Sequence, residues 1–510
     1  MSRKVFRTAV STVAFALACV AAGVAYGSSS NDPTGENSTF IATADPDTPV
    51  VLVILDEFPT ATLLEENQTI NSQRFPNFAA FASKSTWYRD HTAAGDYTAW
   101  AVPPILTGNH VDERTLPTNR AQPNNIFNLL GPGRTVHAME EVTELCSKKY
   151  CPDGHQGEAL GEPNAGEFVK DKFKLLDMKA VGRWIDSIPS GKRSLSVIHL
   201  PLPHQPQRFL PNGQTYPGGP VFFTIPRDRN DWTVSDAGTA LIQQRHLLQT
   251  AFADRVVGQI FEKVKSNGDW DKSMIVVTAD HGFNFDTRYD RRDVEPGNIA
   301  ATVNPPLMIK YPGQSTGVVS DESTQGIDVT PTIAKQLGKD QHYAMDGVPI
   351  DQIPANREMT VNKDNLAEIT ITADDIRRER PGVIAAETRR VGNGGLWKLG
   401  PVSGIIGTNP VRRNAVAGAR VEFDFPRRLA DFTPGQGKVP SLVSGELTGV
   451  GPNEVVALAV NGIITSTSRT FRWNGAMRFG SMVPPTALKR GENRTRLYLV
   501  ASRERLRPIR

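Results

Sequence analysis

The chain has 510 residues, and 57 Lys and Arg against 54 Asp and Glu leave a formal net charge of +3. That length can bury a large core and divides into two or more domains. The near balance of charge speaks against a general nucleic-acid binder, and three cysteines leave no second pair for a cysteine-rich zinc site.

Arg3, Lys4 and Arg7 precede a mostly apolar, Ala-rich run over 8–26. A positive segment followed by an apolar one makes residues 1–27 a signal peptide or a single uncleaved membrane anchor, so the bulk of the chain is extracytoplasmic, secreted or anchored. Residues 28–48 are polar and read as a flexible linker. The apolar run 49–55 reads as a strand buried on both faces, ending at Asp56. Segment 60–92 looks helical and irregular. Cys146 and Cys151 enclose four residues, a spacing that suits a local loop disulfide in an oxidising compartment. A short strand follows at 195–200. Residues 243–265 place Leu247, Leu248, Phe252, Val256, Ile260 and Val264 at helical spacing and end near Asn267 and Gly268. A β-branched run at 273–277 leads into Thr278, Asp280, His281 and Gly282. A further strand at 306–311 and a short helix at 327–338 complete the alternation. Strands alternating with helices predict an α/β domain with a mainly parallel central sheet flanked by helices over 49–355.

Past Pro354 the pattern changes. Runs at 421–425, 454–459 and 495–500 read as strands, and Asn461-Gly462 is a hairpin signal. Residues 435–510 therefore read as a C-terminal β-sandwich domain, and 356–434 as a connecting region without a clear pattern. Arg503, Arg505, Arg507 and Arg510 make an Arg-rich end, read as a solvated tail with contact to an anionic surface as the alternative.

Four segments end in polar residues suited to one site: Asp56; Thr98 in a G-D-Y-T-A-W stretch; His199 and His204 in H-L-P-L-P-H-Q-P; and Asp280 with His281. An Asp beside a His just past a strand places a carboxylate and an imidazole where parallel sheets bind ligands, and both are metal ligands. The alternatives are a capping Asp and a surface His. Glu57 is either a supporting ligand or a solvated side chain. Arg291 and Arg292 either clamp an anionic substrate or form a solvated basic turn. Asp96 and Tyr97 flank Thr98 and are candidates to line the pocket.

In their order and spacing these motifs resemble the alkaline phosphatase superfamily, and within it the sulfatase-like hydrolase/transferase branch that includes lipoteichoic acid synthase-type phosphoglycerol transferases. That family opens with a strand ending in a metal-binding acid, here Asp56. It places a nucleophile ten residues before the Gly of a Leu-Thr-Gly, and counting back from Gly108 gives Thr98. His204 matches a Pro-His that follows, Asp280 and His281 the D-H-G, Asp328 a D-x-x-P-T, and Asp346 a D-G. Sulfatases carry C-x-P-S-R at the nucleophile, with the Cys converted to formylglycine; Thr98-Ala-Trp-Ala-Val departs from this and resembles the Thr-nucleophile phosphotransferases and phosphodiesterases. The resemblance covers about 49–350. It implies one divalent metal, Mn2+ or Zn2+ ahead of Mg2+ or Ca2+, held by Asp56, Thr98, Asp280 and His281. Thr98 and His204 would be catalytic, and His199, Arg291 and Arg292 would face substrate. His342 has no partner set for a second metal. The implied activity is phosphoryl transfer or phosphodiester hydrolysis on a cell-envelope glycan or lipid. The alternatives are a sulfatase or phosphomonoesterase of the same superfamily, or a non-catalytic glycan-binding protein retaining the fold.

Overall fold

The apolar run at 49–55 is a strand whose two faces serve two layers. β1 (Val50–Asp56) is buried along its whole length. Val51, Val53 and Leu55 pack with the Asp236–Ser266 helix, while Val50, Leu52 and Ile54 pack with the Thr98–Thr107 and Val329–Gln336 helices. A strand covered on both sides has no polar face, which is why the sequence shows no alternation there. The computed structural model describes residues 43–510 apart from 113, 153–167, 170–175, 219–231, 233, 340–343, 364–366, 411–413 and 503–504. The N-terminal segment, the linker up to residue 42, His342 and Arg503 lie outside the described residues.

β2 (Thr86–Tyr88), β3 (Thr135–Met139), β4 (Ser194–Pro203), β5 (Met274–Ala279), β6 (Leu307–Lys310) and β7 (Val318–Ser320) join β1 in one sheet of order β3-β4-β1-β5-β6-β2-β7. β3, β4, β1 and β5 run parallel; β6 enters antiparallel between β5 and β2. The sheet is thus mainly parallel with helices on both faces. Cys146 and Cys151 are joined as a disulfide, with Cα atoms 5.9 Å apart.

Beyond this core, β8 (Met359–Asn362) and β9 (Glu368–Ile371) form a hairpin, followed by the Ala373–Val391 helix. Two antiparallel four-stranded sheets come next. One holds β10 (Arg420–Phe423), β11 (Leu442–Thr448), β14 (Phe471–Trp473) and β15 (Ala476–Met482); the other holds β12 (Val455–Val460), β13 (Ile463–Arg469), β16 (Thr495–Ser502) and β17 (Arg505–Pro508). Val443, Leu447, Phe479 and Met482 of the first meet Val456, Leu458 and Leu497 of the second, so the sheets stack as a sandwich. The same cluster takes in Leu241, Ile242 and Leu248 of the long helix and Phe283 and Phe285. The hairpin turn has Asn461 at φ 53° and Gly462 at φ 88°, the left-handed pair that a two-residue hairpin requires.

Two readings from the sequence need correction. The strands of the sandwich begin at Arg420, ahead of 435, because β10 pairs with β11 across a long connection. Arg505 and Arg507 belong to an edge strand paired with β16, not to a solvated tail. Among the described residues no helix is long and apolar enough to cross a membrane.

Candidate functional site

β1 lies between β4 and β5, so its C-terminal end stands beside theirs. The register sets Ile54 opposite His199 and Leu55 opposite Ala279, which brings Asp56, His199 and Asp280 to one edge of the sheet. Backbone bonds fix this edge: the Asp280 N–H donates to the Leu55 carbonyl at 3.0 Å and the Phe58 N–H to the His281 carbonyl at 2.8 Å. The Gly282 N–H donates to the Thr302 carbonyl at 2.7 Å, and a Cβ at Gly282 would meet the Ala301 carbonyl oxygen at 2.1 Å. The Gly after the Asp-His pair is therefore required by close backbone approach.

Asp56, Asp280 and His281 each offer a ligand atom, and these atoms lie within 4.8 Å of one another. All three side chains are buried. Both carboxylate oxygens of Asp56, Oδ2 of Asp280 and Nε2 of His281 lack a hydrogen-bond partner. Buried polar atoms without partners are costly, and four converging from two carboxylates and an imidazole fit a cation. His281 Nδ1 donates to the Gly282 carbonyl at 2.8 Å, which leaves Nε2 as the lone-pair nitrogen turned to the cluster. Asp280 Oδ1 accepts from the backbone N–H groups of Glu57 at 3.2 Å and His281 at 2.6 Å, so its orientation is fixed while Oδ2 stays available. Burial, with the Asp280 and Glu57 carboxylates nearby, pushes the Asp56 carboxyl well above its ordinary range. A divalent cation among these groups would reverse that pressure.

His199 is set against this cluster, its Nε2 3.8 Å from Asp56 Oδ2. Neither ring nitrogen has a hydrogen-bond partner, and burial lowers its pKa to about 4. The side chain is almost wholly buried beside the carboxylate cluster.

A second group of side chains, which sequence reasoning did not connect, adjoins the first. Glu57 is fully buried, with backbone φ 56°. Its Oε1 accepts from Arg292 Nε at 2.8 Å and also pairs with Arg292 Nη2. Its Oε2 accepts from the Gln205 N–H at 3.2 Å. Burial alone would raise the Glu57 carboxyl; Arg292, with His204 and Arg291, more than offsets this and holds it well below the usual carboxylate range. Glu57 is thus neither the solvated side chain nor the metal ligand considered from sequence, and Arg292 spends its Nε and Nη2 on a structural partner. Arg292 Nη2 also donates to His204 Nε2 at 2.6 Å, while His204 Nδ1 donates to the Gln205 carbonyl. His204 is therefore held neutral, its pKa lowered by burial to about 3, and its Nε2 acts as an acceptor in this arrangement. His246, from the long helix, donates through Nε2 to the Glu57 carbonyl at 2.8 Å. No spacing links 57, 204, 246 and 292; an isolated buried His within the apolar pattern of the helix is the sole signal for His246.

Thr98 opens the Thr98–Thr107 helix, and its Oγ1 is buried without a hydrogen-bond partner. The loop before it is buttressed on two sides. The Asp96 N–H donates to the Asn362 carbonyl at 3.0 Å, and Asp96 Oδ2 accepts from the Val294 N–H at 3.0 Å. The Arg292 guanidinium lies over the Tyr97 ring, 5.3 Å from its centre, which ties the Thr98 loop to the Glu57 pair. Arg291 is buried close enough to contribute to the charge state of Glu57.

Residues 48–339 match the Sulfatase family model. The chain belongs to the sulfatase family. It is 32% identical over 96 residues to the multifunctional alkaline phosphatase superfamily protein PehA of Trinickia caryophylli, covering 18% of each chain. It is 24% identical over 215 residues to the extracellular sulfatase SULF-1 homolog of Drosophila melanogaster, covering 39% of this chain and 19% of that one. The match thus spans under a fifth of the length of either relative. Among solved structures, one from work on glycosaminoglycan metabolism by Bacteroides thetaiotaomicron aligns with a TM-score of 0.48 and 12% identity, over 68% of this chain and 96% of the other. The phosphonate monoester hydrolase of Silicibacter pomeroyi aligns with a TM-score of 0.44 and 16% identity, over 62% and 80%.

Within this sulfatase-family core the remaining motifs hold the frame. The Gly347 N–H donates to the Gly108 carbonyl at 2.9 Å, joining the D-G to the L-T-G that ends the Thr98 helix. Asp328 accepts from the Gln325 and Val348 N–H groups and pairs with Arg357 at 2.6 Å, so its carboxylate is fully employed in packing.

Proposed function

We propose that the chain is an exported, metal-dependent phosphotransferase or phosphodiesterase that works through the Thr98 hydroxyl. Its substrates would be phosphoryl-linked envelope glycans or lipids of the phosphoglycerol or phosphoethanolamine type. The observation that carries this reading is a threonine with a buried, unpartnered Oγ1 at the head of the Thr98–Thr107 helix, where a sulfatase would carry the Cys that becomes formylglycine. Asp56, Asp280 and His281, with Thr98, would hold one divalent cation, and the mixed oxygen and nitrogen donors favour Mn2+ or Zn2+ over Mg2+ or Ca2+. Such a cation lowers the pKa of a bound hydroxyl and offsets charge on the oxygens around phosphorus.

The chain's own groups would do the rest. Thr98 Oγ1 gives up its proton to solvent and attacks phosphorus, the bond to the leaving oxygen breaks and that oxygen takes a proton from water, and the phosphoryl group rests on threonine until water or an acceptor hydroxyl takes it. Arg291 adds positive charge beside the site, whereas the charge of Arg292 is offset by Glu57. His204 is kept in place by Arg292 and Gln205. Export is supported by the Cys146–Cys151 disulfide, by the basic-then-apolar N-terminus and by one relative's description as extracellular.

A second reading, sulfate-ester hydrolysis, is favoured by the family model itself. Turnover of a bis-aryl phosphodiester, an aryl phosphomonoester and an aryl sulfate with Mn2+, by wild type and Thr98→Ala, separates them. The proposal expects phosphodiester turnover to dominate and to fall by at least about 1,000-fold in Thr98→Ala. Equal turnover in the two proteins removes Thr98 as nucleophile, and dominant aryl sulfate turnover selects the second reading.

A further inference from the structure

The C-terminal sandwich is strongly basic. Residues 414–510 carry 15 Lys and Arg against 7 Asp and Glu, while the surplus over the whole chain is only three, so the rest is net acidic. Asymmetry of this kind orients a protein towards an anionic surface.

The basic residues are gathered by topology. β10 ends, β11 begins, β15 ends, β12 ends and β16 begins at one end of the sandwich, which places the connections 424–441, 461–462 and 483–494 together. Direct bonds join them: Phe432 and Gly491 bridge through their backbones, the Asn493 N–H donates to the Leu429 carbonyl, and the Asn461 N–H donates to the Arg494 carbonyl. Arg427, Lys438, Lys489, Arg490 and Arg494 are exposed there, as is Arg496 just inside β16. The opposing acids are few. Asp424 is taken up by Arg478 and Ser444, leaving Asp431, Glu492, which is 3.5 Å from Arg494, and the exposed Glu422 just inside β10.

Apolar side chains stand among these charges. Among the described residues the exposed large hydrophobic side chains are Val319, Phe425 and Ile463, and the last two belong to this end. Phe425 is 47% exposed at φ 51°, a conformation that costs a bulky side chain energy and persists only where its surroundings impose it. The Arg428 guanidinium sits 3.8 Å from the centre of its ring, which braces the ring in that exposed position. Ile463 follows the Asn461-Gly462 turn and is 39% exposed.

Exposed Phe and Ile at the same end as exposed Arg and Lys match the interfacial region of a bilayer, where charge meets headgroup phosphate and the apolar group enters the acyl boundary. The structure assigns this end of the sandwich as a docking surface for an anionic lipid membrane. An anionic glycan would satisfy the arginines but would give the exposed Ile463 nothing to bury against. The assignment is independent of the catalytic reading.

Flotation of the full chain with vesicles of phosphatidylcholine alone, or of phosphatidylcholine with phosphatidylglycerol, tests it. The variants are Arg427→Glu/Arg490→Glu/Arg494→Glu and Phe425→Ser/Ile463→Ser. All share one N-terminus, so its contribution cancels between them, and thermal melting confirms that each remains folded. Wild type should prefer the anionic vesicles, with binding reduced by about 100-fold or more in the charge variant and by about 10-fold in the apolar variant. A preference between the two vesicle types that is the same in wild type and the charge variant, including no preference in either, overturns the assignment. Binding that depends on charge but is indifferent to Phe425→Ser/Ile463→Ser, with matching retention on soluble dextran sulfate, reassigns the surface to a polyanionic polymer.

Discussion

Arg292 Nε donates to Glu57 Oε1 at 2.8 Å across a separation of 235 residues, with both side chains buried. This pair links two parts of the site. Glu57 gives its backbone N–H to Asp280 in the cation cluster, and Arg292 reaches His204 and the Tyr97 ring beside Thr98. Removing one member leaves a buried charge without its partner, which costs about 3–5 kcal/mol, whereas removing both costs less. Glu57→Gln should therefore lower stability by about 3 kcal/mol in urea unfolding, and Arg292→Met added to it should recover part of that loss. The pH dependence follows from sign. The folded carboxyl is held below its unfolded value, so its contribution is full above the usual carboxylate pKa and is lost as pH falls through the acid range. Wild type should lose stability below about pH 4.5 more steeply than Glu57→Gln does. Parallel acid profiles would falsify the ionised-pair assignment.

His246 acts on the same residue from the other side. Its Nε2–H holds the carbonyl of Glu57, which has φ 56° and would otherwise relax. It touches neither the cation cluster nor Thr98 in any hydrogen bond, so it is a positioning residue. His246→Ala should lower metal affinity or turnover by about 10-fold, as loss of an outer partner commonly does. His246→Gln keeps a donor near the same place and should restore part of it. Burial lowers the pKa of His246 to about 4, so it is neutral in the fold at neutral pH. Comparable loss in the Ala and Gln variants would assign His246 to packing alone, against Phe283 and Phe285.

Cation uptake should be visible without any assay of turnover. Asp56 is pushed towards its protonated form by burial and by Asp280, and a bound cation requires its carboxylate. Titration with Mn2+ near neutral pH should therefore release protons, seen as a binding enthalpy that varies with buffer ionisation. It should also raise thermal stability, by about 2.7 kcal/mol at a hundredfold excess over the dissociation constant. Asp280→Ala and His281→Ala should abolish both effects. Metal-independent melting of wild type would show that the cluster holds no cation.

What the sequence disclosed follows from locality. The run at 49–55, the D-H-G after a β-branched strand and the Asn-Gly hairpin are each set by neighbours in the chain, and each stands where the pattern placed it. The region 356–434 was opaque because its main helix hides its periodicity. The buried stripe of Ala373–Val391 is Ala373, Ile376, Arg380, Ile384, Glu387 and Val391, and two of those six are charged. Arg380 is paired with Asp90 at 2.8 Å, a partner 290 residues away, so burial of a charge there is invisible in any window of sequence. The same holds for β17, whose edge position depends on β16 rather than on its own composition. Asp56, Asp280 and His281 were legible as a set because parallel strands bring their ends together; Glu57, Arg292 and His246 were not, because loops and a helix carry them there.

Glu387 on that stripe gives a prediction of opposite sign to Glu57. Burial raises its pKa to about 7, only partly opposed by Arg390 and Arg74. Between the unfolded carboxylate value and about 7 the folded state keeps a proton that the unfolded state gives up, so stability falls as pH rises through that window and levels off above it. The effect is about 3 kcal/mol at most. Glu387→Gln cannot lose the proton and keeps a group of similar shape beside Gln243 and Arg390, which are themselves joined at 3.0 Å. Denaturant unfolding at pH 5 and pH 8 should show the wild type losing stability relative to Glu387→Gln at the higher pH. A difference between the two proteins that is constant with pH would mean that Glu387 stays ionised in the fold, held by the arginines more strongly than burial opposes them.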